Sequence, residues 1–98
     1  MAEINWTNEA QIWLKDIYDY IAVDNPEAAA RTLAGIFMKA QLLATHPEIG
    51  HRYDFAGTRQ IRILHYGHYR IAYLIRSDEN VDILGVFHGA LDLERYFV

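Results

Sequence analysis

The sequence predicts an α+β fold: an N-terminal edge strand, then an antiparallel helical hairpin packed on a three- to four-stranded antiparallel sheet. Three observations carry this. Apolar residues recur at helical spacing between residues 10 and 44. Residues 59–88 hold three strand-like runs separated by short turn-forming breaks. Helices precede strands instead of alternating with them, which speaks against a chain of parallel crossover units.

Residues 2–6 alternate and suit a short edge strand. Thr7 can cap a helix, and Glu9 in its first turn complements the helix dipole. Ala10, Trp13, Leu14, Ile17, Tyr18 and Ile21 then form an apolar stripe, with Lys15, Asp16 and Asp19 on the other side. Asp24-Asn25-Pro26 ends this helix and begins the next: Asn25 caps it, and Pro26 fits the first position, where no N–H is needed. Ala29, Leu33, Ile36, Phe37, Ala40, Leu43 and Ala44 line one face of the second helix until His46-Pro47 stops it. So short a corner makes the two helices antiparallel. Burying Trp13, Leu14, Ile17 and Ile21 contributes roughly 1.5–3 kcal/mol each, more than any cap, so the hairpin requires a sheet to lie on.

Residues 47–57, with Pro47, Gly50 and Gly57, read as a loop. The strands are expected over Arg59–Leu64, Tyr69–Arg76 and Val81–His88, joined across Tyr66-Gly67-His68 and Ser77-Asp78-Glu79-Asn80. Matching apolar faces pairs Ile63 with Ile71 and Ile61 with Tyr73, through a three-residue loop. Arg62, Arg70 and Arg76 then share the face turned away from the helices. The third strand is apolar on both faces and belongs inside the sheet. The tail, residues 91–98, is half apolar and is expected to pack back on the body.

Composition narrows the function classes. Ninety-eight residues, 52% of them hydrophobic, suit one domain over residues 1–98. With no cysteine there is neither a disulfide framework nor a thiolate metal site. The N-terminus lacks a signal-peptide pattern, and no apolar run approaches the roughly 20 residues that span a bilayer. A cytoplasmic protein without membrane contact is expected. The net charge of −4 argues against broad nucleic-acid binding. The charge is uneven, however. Residues 1–50 hold Lys15, Arg31 and Lys39 against seven acidic residues, a balance of −4, whereas residues 51–76 hold five arginines against Asp54, a balance of +4.

His51, His65 and His68 lack the carboxylate spacing that would complete a metal ligand set. Gly85 and Gly89 are not followed by the helix that a phosphate loop needs. Tyr18, Tyr20, Tyr69 and Tyr73 read as core and rim aromatics, and no Ser/His/Asp or Cys/His set emerges. No cofactor, metal or small-molecule substrate is indicated.

Trp6-Thr7, Ala10, Leu14, Ile17, Tyr20-Ile21 and the Asp24–Ala29 corner resemble the helical half of RelE/ParE-type toxins. His46-Pro47-Glu48-Ile49-Gly50 resembles that family's inter-element loop, and Arg59, Gly67–Tyr73 and Phe87–Asp92 its strand signatures. The resemblance runs in order over nearly the whole chain. It implies the toxin of a bacterial type II toxin–antitoxin module, neutralised by a cognate antitoxin and tied to growth arrest and plasmid stabilisation. The ParE branch inhibits DNA gyrase without catalytic chemistry; the RelE branch cuts mRNA on the ribosome.

Two features favour the ParE-like branch. Leu91 stands where relatives often carry an arginine that would stabilise phosphorane charge, and the chain is acidic overall. On this reading Arg59, Arg62, Arg70, Arg76 and His88 are the candidate target- or antitoxin-binding residues. As a nuclease, the alternative, it would draw its catalytic groups from Arg70, His88 and Tyr96. A degenerate toxin that only binds its antitoxin is the third reading.

Overall fold

The computed structural model describes residues 1–53 and 61–89. Along the chain run β1 (Ile4–Trp6), α1 (Asn8–Ala22), α2 (Pro26–Gln41), a 3₁₀ turn (Leu42–Ala44), β2 (His51–Tyr53), β3 (Ile61–Tyr66), β4 (Tyr69–Ile75) and β5 (Val81–His88). The strands form one mixed sheet in the order β1-β5-β4-β3-β2. The α+β class and the helical hairpin are as the sequence predicts. The sheet is larger than expected, with five strands among the described residues, and β1 runs parallel to β5.

Both helix starts follow from their caps. The Thr7 hydroxyl accepts from the Ala10 N–H at 3.2 Å and donates to the Ile83 carbonyl at 2.7 Å, so one side chain caps α1 and ties it to β5. Asn25 caps α2 by accepting from the Ala28 N–H at 3.0 Å, with Pro26 in the first turn. The Asp24 and Asn25 N–H groups both donate to the Ile21 carbonyl and close the corner between the helices.

The main core lies between the hairpin and one face of the sheet. Ala10 and Leu14 of α1 and Ile36 and Ala40 of α2 meet Leu64, Ile71, Tyr73, Val81, Ile83 and Val86. Leu84 opposes no β4 residue, because Tyr73 pairs with Ile83 and Ala72 with Gly85. This bulge lets Val81, Ile83 and Val86 all face the helices despite their uneven spacing.

The β3–β4 register departs from the expected one by one residue. Ile61 pairs with Leu74, Ile63 with Ala72, and Tyr66 with Tyr69, leaving Gly67-His68 as a two-residue turn. Gly67, at φ +58°, supplies the positive dihedral that such a turn asks of its first position. A slip of one residue moves a whole strand to the opposite face. Ile61 and Ile63 therefore lie away from the helices, in a second buried cluster with Ala72 and Phe87. Arg62 joins Tyr73 on the helix side. The expected all-arginine outer face does not form.

β2 was expected to be loop. Its three residues pair with β3, His51 opposite Ile63 and Tyr53 opposite Ile61. The preceding loop is pinned by the wholly buried Tyr73, whose hydroxyl donates to the Pro47 carbonyl at 2.6 Å and accepts from the Gly50 N–H at 3.0 Å. Burial pushes this phenol above its ordinary range. Gly50 is required by close approach: a Cβ there would lie 2.8 Å from the Ile63 carbonyl and 2.7 Å from the Tyr73 ring. β5 lies inside the sheet as expected, between β1 and β4.

Candidate interaction surface

The predicted site residues do not share one surface. Arg59, Tyr96 and Leu91 fall outside the described residues. Arg62 is directly opposite Arg52, and its guanidinium turns instead to the loop, donating to the carbonyls of Gly50 at 2.8 Å and Glu48 at 3.2 Å. Its charge is used to hold backbone. Arg76 follows β4 and pairs with Asp78 at 2.9 Å and Asp82 at 3.7 Å. It lies six strand positions from Arg70, roughly 20 Å at the usual rise per residue.

Arg70 differs from both. It stands on β4 opposite His65, and no described residue forms an ion pair or hydrogen bond with its guanidinium. The His65 and His51 rings are 5.1 Å apart on neighbouring strands. Desolvation, with lesser contributions from Arg70 and His51, holds the His65 imidazole below its ordinary pKa. Three nitrogen-rich side chains thus gather at one end of the sheet, on the face opposite the helices. This suits an anionic partner group. His51 and His65 were missed because β2 carries no strand pattern and the expected register put Leu64, not His65, beside Arg70.

His88 ends β5, exposed, paired with Tyr69 and with its ring 5.3 Å from that tyrosine and 6.2 Å from His68. Its neighbour Phe87 pairs with Arg70, so by pleat alternation His88 and Arg70 point to opposite faces. No group of three or more metal-ligating side chains gathers among the described residues. No helix among them is long and apolar enough to cross a membrane.

The hairpin leaves large apolar side chains uncovered. Ile12, Tyr20 and Val23 project from α1 and the corner, and Phe37 and Met38 from α2. Phe37 is partly shielded by Trp6, with ring centroids 4.7 Å apart. Large apolar side chains left exposed on one hairpin are candidates for contact with another protein.

A protein-family model described as the ParE toxin of type II toxin–antitoxin system, parDE, matches residues 4–93. A candidate toxin from Sinorhizobium fredii is 39% identical over 86 residues, covering 88% of this chain and 86% of the relative. Among solved structures, a chromosomal ParDE toxin–antitoxin system from P. aeruginosa aligns with a TM-score of 0.75 at 20% identity, covering 92% of this chain and 98% of that one. The toxin–antitoxin complex RelBE2 from Mycobacterium tuberculosis aligns with a TM-score of 0.65 at 23% identity, covering 89% and 96%. At such identities the two structural likenesses speak to fold alone.

Proposed function

The chain belongs to the ParE toxin family of type II toxin–antitoxin systems, and on that premise we propose that it arrests growth by binding and inhibiting DNA gyrase in the cytoplasm until a cognate antitoxin covers it. The family match over residues 4–93 carries this reading. The geometry lends support. Cutting RNA at the 2′-hydroxyl needs a base, a phosphorane-stabilising cation and an acid converging on one phosphate. Among the described residues, Arg70 and His88 face opposite ways, while Arg62 and Arg76 are occupied within the chain.

In this proposal Arg70, with His65 and His51 beside it, meets acidic groups of the target or antitoxin. Arg62 and Arg76, engaged within the chain, and His88, on the other face of the sheet, stand apart from that contact. The uncovered apolar residues of the hairpin and the outer edges of β1 and β2 are where an antitoxin segment lies. Expression without antitoxin is expected to stop division and trigger a DNA-damage response. Supercoiling by purified gyrase is expected to fall as the protein is titrated in. Unaffected supercoiling at saturating protein would sink the gyrase reading.

One observation favours a second reading, a ribosome-dependent mRNA endonuclease: the Arg70 guanidinium, with the His65 and His51 rings beside it, offers a cation and ring nitrogens that suit a phosphate. Primer extension on translated messages would then show codon-linked cuts that an Arg70→Ala variant loses. Unimpeded growth with soluble protein present, and neither effect in vitro, would leave an antitoxin-binding module.

A further inference from the structure

We propose that the groove between α1 and the adjoining ends of β4 and β5 is an anchor site for an arginine side chain presented by a protein partner. The inference goes beyond the toxin reading: it concerns any protein seated on this groove and does not require gyrase as the target.

The groove encloses about 370 Å³. Its α1 wall is one helical stripe, residues 13, 16, 17, 20 and 21, so these side chains stand over one another. Ile17, Ile21 and, across from them, Val86 give apolar walls suited to a methylene stem. Trp13, Tyr20 and Tyr69 bring three aromatic rings to the same space. Trp13 is set in place by edge-on packing against Phe87, with centroids 4.7 Å apart. Asp16 and His88 are the polar members of the lining among the described residues.

Asp16 identifies the occupant. Its carboxylate has no hydrogen-bond or ion-pair partner among the described residues, and the adjacent Lys15 is paired with Asp19 at 2.6 Å. A purely apolar side chain seated here would strip water from that carboxylate and return nothing. An anionic side chain would be repelled. A guanidinium pairs with the carboxylate and stacks on the rings, with the His88 ring lining the same groove. Lysine satisfies the charge but not the stacking, because its ammonium is a compact, strongly hydrated point. The surrounding field agrees: residues 1–50 carry a balance of −4, and α1 itself holds Glu9, Asp16 and Asp19 against Lys15. Arginine is also among the residues that most often anchor protein interfaces.

The full ¹⁵N-labelled chain is titrated with acetyl-arginine methylamide and with the matching citrulline and norleucine compounds. The indole N–H of Trp13 and the rings of Tyr20, Tyr69 and His88 are followed by NMR. Arginine is expected to give saturable shifts at all four, in the roughly millimolar range open to a single side chain. Citrulline, and arginine against Asp16→Asn, are expected to bind about fivefold more weakly or worse. Asp16 is exposed, so its variant should keep the parent circular dichroism; Tyr20→Ala, also exposed, provides a second weakened variant. The Trp6 indole, packed on Phe37, should not move. Equal binding of norleucine or citrulline, no effect of Asp16→Asn, or no saturable shift with arginine would each overturn the proposal. None of these outcomes bears on gyrase inhibition, which is read separately.

Discussion

Replacing Tyr73 by phenylalanine removes one oxygen atom from the middle of the protein and two hydrogen bonds with it. The ring is fully buried, so no water takes the place of the hydroxyl. The Pro47 carbonyl loses its donor at 2.6 Å, and the Gly50 N–H, inside the structure, loses its acceptor at 3.0 Å. Each such bond contributes about 0.5–1.5 kcal/mol net, and a stranded buried group costs about 1–3 kcal/mol. Ring volume is kept, so no cavity adds to this. A loss of about 2 kcal/mol is expected, lowering Tm by roughly 8–16 °C for a domain of this size.

Urea unfolding measures the effect, with the midpoint shifting and the m-value unchanged. Because Arg62 holds the Gly50 carbonyl at 2.8 Å, Tyr73→Phe and Arg62→Met act on the same turn. Their combination is expected to depart from additivity by about 0.5 kcal/mol or more. The same phenol predicts an alkaline limb. The unfolded chain releases this proton near the usual ~10, whereas the folded chain holds it to higher pH. This contribution is therefore fully present below about pH 10 and lost as pH rises from there through the folded value, and Tyr73→Phe should flatten the fall. A change under about 0.5 kcal/mol, or strict additivity with Arg62→Met, would refute the claim that Tyr73 pins the loop.

Gly50→Ala is expected to destabilise by about 1–3 kcal/mol in the same urea assay, since the Ile63 carbonyl 2.8 Å from the new Cβ is backbone and yields little. By NMR titration, His65 should take up its proton below pH 6.5 and closer to that value in Arg70→Gln. The unfolded chain protonates this histidine first, so its contribution is present above pH 6.5 and lost as pH falls through the folded value. Thr7→Ala removes both the α1 cap and the bond to Ile83; about 1–3 kcal/mol is expected by thermal or urea unfolding. Arg76→Ala should cost under about 1 kcal/mol, because its ion pairs are at the surface, and salt should shrink the difference.

The elements most legible in the sequence were those whose signal is local. Thr7 and Asn25 cap the helices they were expected to cap, because a capping hydroxyl or amide reaches only three residues ahead. The register went wrong for a nameable reason. Aligning Ile61 and Ile63 with Ile71 and Tyr73 assumes that one face of the sheet is apolar and the other wet. Both faces are buried in part, so Ile61 and Ile63 are as well satisfied by Ala72 and Phe87. Apolar matching could not choose between two apolar faces, and the two-residue turn at Gly67 decided. β2 was illegible because His51-Arg52-Tyr53 is a strand by pairing with β3, not by its own pattern.

The amino-acid order by itself determined the helical hairpin, the strand meander and the family, since helical period, turn residues and motif order are properties of neighbouring positions. It also placed five arginines between residues 51 and 76 without saying which were free. Tertiary structure alone decided that. It spent Arg62 on the carbonyls of Glu48 and Gly50 and Arg76 on Asp78 and Asp82, and left Arg70 beside His65 and His51. Whether a charge is available depends on partners that are distant in sequence and brought close by register, and a shift of one residue is enough to change them.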